Sequence, residues 1–450
     1  MKPIIYTTDE KNFFRKKELF CNNQKMDFGC NVVSADTPSN ESFGGFGVAL
    51  TGSSCYELSI MPEELREKFL DDIYGKNGLG LSVGRISIGS CDYSTNVYSY
   101  CDKKDDIALE SFSLGQDMDF IVPMVKEVMR HNPDIKIFAS PWSPPGWMKT
   151  SGTMYLGYMR NEYIDCYAEY FIKFLNAYKA EGIPIYAVTP QNEPEAQQAG
   201  RSVACIWHPD TESEFVSTLR SKLRKNGMDT EIWLYDHCFI GWARVLEQLR
   251  HSPNLINDCD AIAFHYYEGY AGMIDNIRKE YPQIRWNFTE GGPRLFDNYG
   301  TDWCKWSIAM SAALSAGCDT FTGWNLLLDE CGGPNIGPFY CGGLATLNSQ
   351  TNEITYSGQY RALKHFSTFI KRGAKIYPIK TENCDDVCLS EYPKALKALR
   401  GVFAVNTDGS KVLQLVNENK DKIQAQYFYN GKWWYIELMP NSVASVVFER

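Results

Sequence analysis

Eight times between residues 43 and 372 the sequence passes from a short β-like run into a helical stretch, and that alternation constrains the fold more than any other feature. The runs are FGGFGVAL at 43–50, LSVGRISIG at 81–89, IKIFASPW at 135–142, YAVTPQNEP at 186–194, EIWLYDHC at 231–238, AIAFHYYE at 261–268, RWNFTEGG at 285–292 and TFTGWNLLL at 320–328. The clearest helix covers 163–181. There Ile164, Tyr167, Ala168, Phe171, Leu175 and Tyr178 recur at three- and four-residue steps as one buried stripe, and Gly182 supplies the stop. Eight βα units are the number that closes a (β/α)8 barrel, a TIM barrel in the α/β class, whose active site is carried on the loops at the C-terminal ends of the strands.

After a last helix at 357–372 the period changes. LKALRGVFAV, KVLQLVNE, IQAQYFY, KWWYIEL and VASVVFE alternate with turns at TDGS and NG, so the tail reads as a small β-domain. Its edges need covering, and the first 37 residues, which precede barrel strand one, are available to add a strand. The expected organisation is an N-terminal segment at 1–37, a catalytic barrel at 38–373 and a C-terminal β-domain at 374–450. The polar loop at 101–115 carries a charge run, Lys103 to Asp106, that reads as solvated surface.

Composition narrows the function classes. Apolar residues make up 44% and charged residues 22%, and no run of eighteen apolar residues exists, so a globular chain without a membrane span is expected. A net charge of −10 and few Lys/Arg clusters argue against nucleic acid, because phosphate backbones are held by basic patches. The opening MKPIIYTTDEKNFFRKK has no apolar core and no small-residue cleavage site, which gives the expectation of a cytoplasmic protein. Fifteen cysteines without metal-type spacing are then expected as free, mostly buried thiols, with Cys384 and Cys388 structural or incidental rather than metal ligands. Six histidines contain no HExxH, so neither a metal nor another cofactor is expected. Eleven Trp and 27 Tyr suit a site lined by rings that stack on sugars, although large cores also use them. The partner class expected is a small carbohydrate or glycoside; oligomeric state stays open.

The strand ends carry the chemistry. Strand four ends in Gln191, Asn192, Glu193 and Pro194, and strand seven in Thr289, Glu290, Gly291 and Gly292, so both glutamates point at one mouth. Cleaving a glycosidic bond needs one carboxylic acid to protonate the leaving oxygen and one carboxylate to meet the oxocarbenium-like centre, and a separation of roughly 5 Å gives retention. Glu290 alone also suits a turn cap; Glu193 is stronger, since Pro194 stiffens the following backbone and Asn192 offers a donor to a sugar hydroxyl. Around them stand Arg85 and Asp92 after strand two, Trp142 after strand three, His265 and Tyr267 after strand six, and Trp324 and Asn325 after strand eight. Arg85 reads equally as a partner of a catalytic carboxylate and as a sugar contact, and His265 equally as a satisfied core histidine and as a ligand of the sugar. Tyr267 is suited to hold the nucleophile. Trp303 and Trp306, three apart on a helix, read as packing.

At these positions the sequence resembles glycoside hydrolase family 30, in its glucosylceramidase branch. GGFGVAL, ASPWSPPGWMKT, VTPQNEP, FHYY, FTEGG and GWNLLLDECGGPN carry the likeness over nearly the whole chain. The resemblance implies a barrel fused to a β-sandwich built from both chain ends, with Glu193 as acid/base and Glu290 as nucleophile. It implies sugar contacts at Asp92, Trp142, Asn192 and Trp324, and a rim contact at Asn335. Family members of this shape cleave terminal β-glucosides, β-xylosides or β-1,6-glucans, and Asp92 with Trp142 favours an exo-acting pocket for terminal β-D-glucosides. The loop GSCDYSTNVYSYCDKKDD, with its own cysteines, departs from the lysosomal members. A β-xylosidase, a β-1,6-glucanase, a transglycosylase and a carbohydrate-binding barrel without catalysis are the alternatives.

Overall fold

The computed structural model describes residues 2–26, 30–197, 200–382 and 399–448. Eight parallel strands close into a barrel: Gly45–Ala49, Val83–Ser87, Lys136–Ser140, Ile185–Val188, Glu231–Cys238, Ala261–His265, Arg285–Glu290 and Thr320–Gly323. All eight fall inside the runs read from sequence, apart from the first residue of strand four. Each strand is followed by helix, and the predicted stripe at 163–181 forms the helix Ile164–Ala180. Gly182 ends it at φ +80°, in the left-handed region where a side chain would be strained. Gly47 has a different reason to be glycine, because a Cβ there would collide with the Val83 carbonyl of strand two.

Side chains fill the barrel axis. Val83, Phe138, Ala187, Trp233, Ala261 and Ala263 form one buried cluster, with the Phe138 and Trp233 rings 4.9 Å apart. These side chains plug the axis, and in such a barrel the chemistry is carried at the opposite, C-terminal mouth.

Ten strands build the second domain, a β-sandwich. In spatial order they are Asn12–Glu18, Ile4–Asp9, Ser442–Phe448, Lys411–Asn417, Arg400–Val405, Lys375–Glu382, Cys30–Ser34, Ile423–Tyr429, Lys432–Leu438 and Phe20–Asn22. Leu413, Leu415, Ala444 and Val446 face Ala425, Tyr427, Trp434 and Ile436 in its core. The N-terminal segment contributes four strands where one was expected, because Ile4–Asp9 pairs with the last strand and Cys30–Ser34 bridges Lys375–Glu382 to Ile423–Tyr429. The helix Trp303–Ser315 packs the barrel on the sandwich, with Trp303 and Cys304 against Val416 and Val443, and Trp306 fully buried. Both tryptophans are packing residues.

Two local expectations change. Lys103, Lys104 and Asp105 are exposed, but Asp106 turns inward and accepts from the Ser111 amide and hydroxyl. Cys30 is disulfide-bonded, a bond that oxidising compartments favour, whereas the other described cysteines are free thiols. Cys384 and Cys388, like the start of the LKALRGVFAV run, lie outside the described residues. Among the described residues no helix is long and apolar enough to cross a membrane.

Candidate active site

Strand five bends where it matters. Tyr235 and Asp236 both take positive φ, +82° and +58°, and the pairing of strands five and six slips by one residue between Ala263 and Phe264. Such a bulge re-aims side chains at a barrel rim. Glu193 itself sits at φ +50°, its amide donating to the Asp236 carbonyl at 3.0 Å, so strands four and five hold each other in sparsely populated conformations.

The fully buried Asp236 carboxylate is the hub. Arg85, Ser140, Thr189, Thr289 and His265 all bring a polar atom within 3.0 Å of it. Arg85, also fully buried, reaches Glu290 at 2.5 Å and the Asn192 side-chain oxygen at 2.8 Å. Tyr267 donates to the other Glu290 oxygen at 2.9 Å. Of the two readings for Arg85, the carboxylate partner is the one realised. His265 is buried with one ring nitrogen 3.1 Å from Glu193 and the other 3.0 Å from Asp236, so it orients Glu193 and has no nitrogen left for a sugar.

Burial disfavours charge on His265, but the neighbouring Glu290, Asp236 and Glu193 outweigh it and push its pKa up to about 10. Burial likewise resists ionisation of Glu193, yet the facing His237 and His265 outweigh it and hold its carboxyl below the usual range. Asp236 is held low against the same burial by Arg85 and His265. Asp92 goes the opposite way: burial, with Glu290 and Glu193 nearby, pushes its carboxyl well above the ordinary range. The Glu193–His265 contact therefore holds one proton, on the imidazole, and Asp92 is the neutral carboxyl of the group.

A cavity of about 320 Å³ opens over these residues, lined by Asp92, Glu193, Tyr267, Glu290, Trp324 and Phe339 among others. Among the described residues one buried Asp92 oxygen has no hydrogen-bond partner, a role that a sugar hydroxyl would fill. Trp324 stacks on Trp142 with ring centroids 5.3 Å apart, and the Arg85 guanidinium lies 4.8 Å from the Trp142 ring. Trp142 thus backs the cavity wall from behind Trp324. Asn325, at φ +54°, accepts from Thr51 and is buried beneath the site. Asn335 sits on the rim loop, where its amide donates to the Gly332 and Phe339 carbonyls, and its side chain is not among those lining the cavity. A carboxylate oxygen of Glu193, one of Glu290 and a His265 nitrogen all lie within 4.8 Å of one another.

Asp236 and His237 were missed as site residues, although the rule that polar strand ends carry function applies to the DH pair closing strand five. The outer rim, Arg294, Phe296 and Tyr340, was also missed; it lies on long loops with no periodic signal.

Residues 43–370 match the model of the glycosyl hydrolase family 30 TIM-barrel domain. The chain belongs to that family. Within family 30 it is 32% identical to putative glucosylceramidase 3 of Caenorhabditis elegans over 83% of this chain and 76% of that one. Among solved structures it is similar to SrfJ from Salmonella typhimurium, at 25% identity and TM-score 0.91, and to the endo-β1,6-glucanase BT3312, at 28% identity and TM-score 0.85. Both alignments cover all of either chain. The protein is a family 30 glycoside hydrolase, with its barrel, sandwich and paired carboxylates in one chain.

Proposed function

We propose that this family 30 enzyme is a retaining, exo-acting β-glycosidase that removes terminal β-D-glucose, with Glu290 as nucleophile and Glu193 as acid/base. The observation that carries the reading is the approach of the two carboxylates to within 4.8 Å, which leaves no room for the water that an inverting enzyme, at roughly 6.5–9.5 Å, must admit. Glu290 attacks the anomeric carbon as the bond to the leaving oxygen breaks, and Glu193 gives that oxygen its proton. The sugar stays on Glu290 as an ester. Water then adds to the anomeric carbon, Glu193 takes its proton, and the ester bond breaks to release the β-sugar.

The residues around the pair support the division of labour. Arg85 and Tyr267 hold both Glu290 oxygens, which favours the anion that attacks. His265 feeds the shared proton to Glu193 and is left neutral, its other nitrogen donating to Asp236. Asp92, with its unpartnered oxygen, and the Trp324–Trp142 stack bound the far side of a single sugar, which favours exo action.

A second reading, an endo-β-1,6-glucanase, draws on the rim. Phe296 and Tyr340 are 70% and 67% exposed with ring centroids 6.3 Å apart, a surface on which further sugars could stack, and the endo-β1,6-glucanase relative keeps the same fold. Digestion of a reduced β-1,6-glucooligosaccharide separates the two. Exo action releases glucose alone from the first minutes; early internal fragments refute it. Proton NMR of the first-formed anomer tests retention, and an α-product from a β-substrate overturns it.

A further inference from the structure

Beside the paired carboxylates the strand-five bulge brings His237 and Cys238, which have no part in the bond cleavage above, up to Glu193. Glu193, His237 and Cys238 each offer one donor atom, and the three lie within 4.8 Å of one another. His237 Nδ1 stands 3.5 Å from Glu193 Oε1, and among the described residues this buried nitrogen has no hydrogen-bond partner. Cys238 is a free thiol, only 4% exposed.

We propose that Glu193, His237 and Cys238 form an inhibitory site for a borderline divalent cation such as zinc. Nitrogen, thiolate and carboxylate are the ligand types that zinc selects, at about 2.0–2.1, 2.3 and 2.0–2.2 Å. A tetrahedral ion with those bonds wants its donors about 3.3–3.6 Å apart. The Glu193–His237 separation of 3.5 Å already meets that spacing, and the sulfur, within 4.8 Å of both, has at most about 1.5 Å to close. On binding, the Cys238 thiol loses its proton to solvent and the ion takes up the Glu193 oxygen, leaving a fourth position for water. The neighbouring set, Glu193, His265 and Glu290, is a poorer host. Both His265 nitrogens are engaged, and Glu290 is pinned by Arg85 and Tyr267. His237 is the nitrogen left open.

The inhibitory consequence rests on the acid/base role proposed for Glu193; the site itself does not. Two readouts keep them apart. Cobalt(II) added to the whole protein reports binding through sulfur-to-cobalt charge-transfer absorption, and zinc inhibition of glycoside hydrolysis reports the coupling to catalysis. Cys238→Ser keeps its basal rate, loses its share of the charge-transfer band, and needs at least about tenfold more zinc for half-inhibition, since one of three protein ligands is gone. Cys238→Ala behaves the same way and serves if the serine variant folds poorly. Glu193→Gln weakens cobalt binding whether or not it turns over substrate. Spectra and zinc sensitivity unchanged in both Cys238 variants overturn the proposal. Cobalt binding that depends on Cys238 and Glu193 but leaves hydrolysis untouched upholds the site and overturns the acid/base role of Glu193.

Discussion

Replacing Asp236 with Asn changes one oxygen to an amide group and should disturb both stability and pH dependence. The carboxylate meets two cationic partners, Arg85 at 2.8 Å and His265 at 3.0 Å. At an effective dielectric near 20, each contact is worth about 6 kcal/mol in gross terms. Most of that offsets the cost of burying the charge, and removing one partner of a buried pair leaves a net loss of about 3–5 kcal/mol. Arg85 keeps Glu290 as a counter-charge, which sets the lower end as the expectation.

The second effect follows from His265. Its pKa stands at about 10 because Glu290, Asp236 and Glu193 outweigh burial. The raised value means that the proton shared with Glu193 is held through neutral pH and lost as pH climbs toward it. Its contribution to stability is fully present below the unfolded value of 6.5 and is lost between there and about 10. In Asp236→Asn the alkaline limb of kcat/KM should therefore move to lower pH by more than one unit. The stability gap to the wild type should narrow as pH rises across that window. Urea unfolding at several pH values and a pH–rate profile on an aryl β-glucoside supply both measurements. A variant within about 1 kcal/mol of the wild type, with its alkaline limb unmoved, refutes the hub assigned to Asp236.

Glu193→Ala should still form the glycosyl-enzyme quickly from a dinitrophenyl glycoside, stall there, and recover with azide as the β-glycosyl azide; equal losses on good and poor leaving groups would exchange or remove its role. Glu290→Ala should lose activity with every leaving group by several orders of magnitude, and azide should give the α-product if any. His265→Gln should shift the alkaline limb acidward as Asp236→Asn does while leaving Arg85 paired, so a fixed limb rejects the shared proton. Asp92→Ala should lower kcat/KM on monosaccharide glycosides by roughly five- to 150-fold, the rate equivalent of about 1–3 kcal/mol for a hydrogen bond to a buried hydroxyl; an unchanged value means an open cleft.

The sequence by itself determined the elements and the direction in which the chemistry faces. Apolar alternation has a local cause, the pleat of a strand or the turn of a helix, so eight βα units could be counted and Glu193 and Glu290 put at one mouth. What only the tertiary structure decided is which groups meet. The Asp236 side chain reaches Arg85 and His265 because Tyr235 and Asp236 leave the extended conformation, and nothing in the letters YDHC announces a bulge. The pairing of Ile4–Asp9 with Ser442–Phe448 joins the two ends of the chain, where local propensity carries no information. For the same reason His265 could be read equally as a sugar ligand and as a core histidine. A side chain's role is set by the partner within hydrogen-bond reach, and that partner arrives from another strand only when the barrel closes.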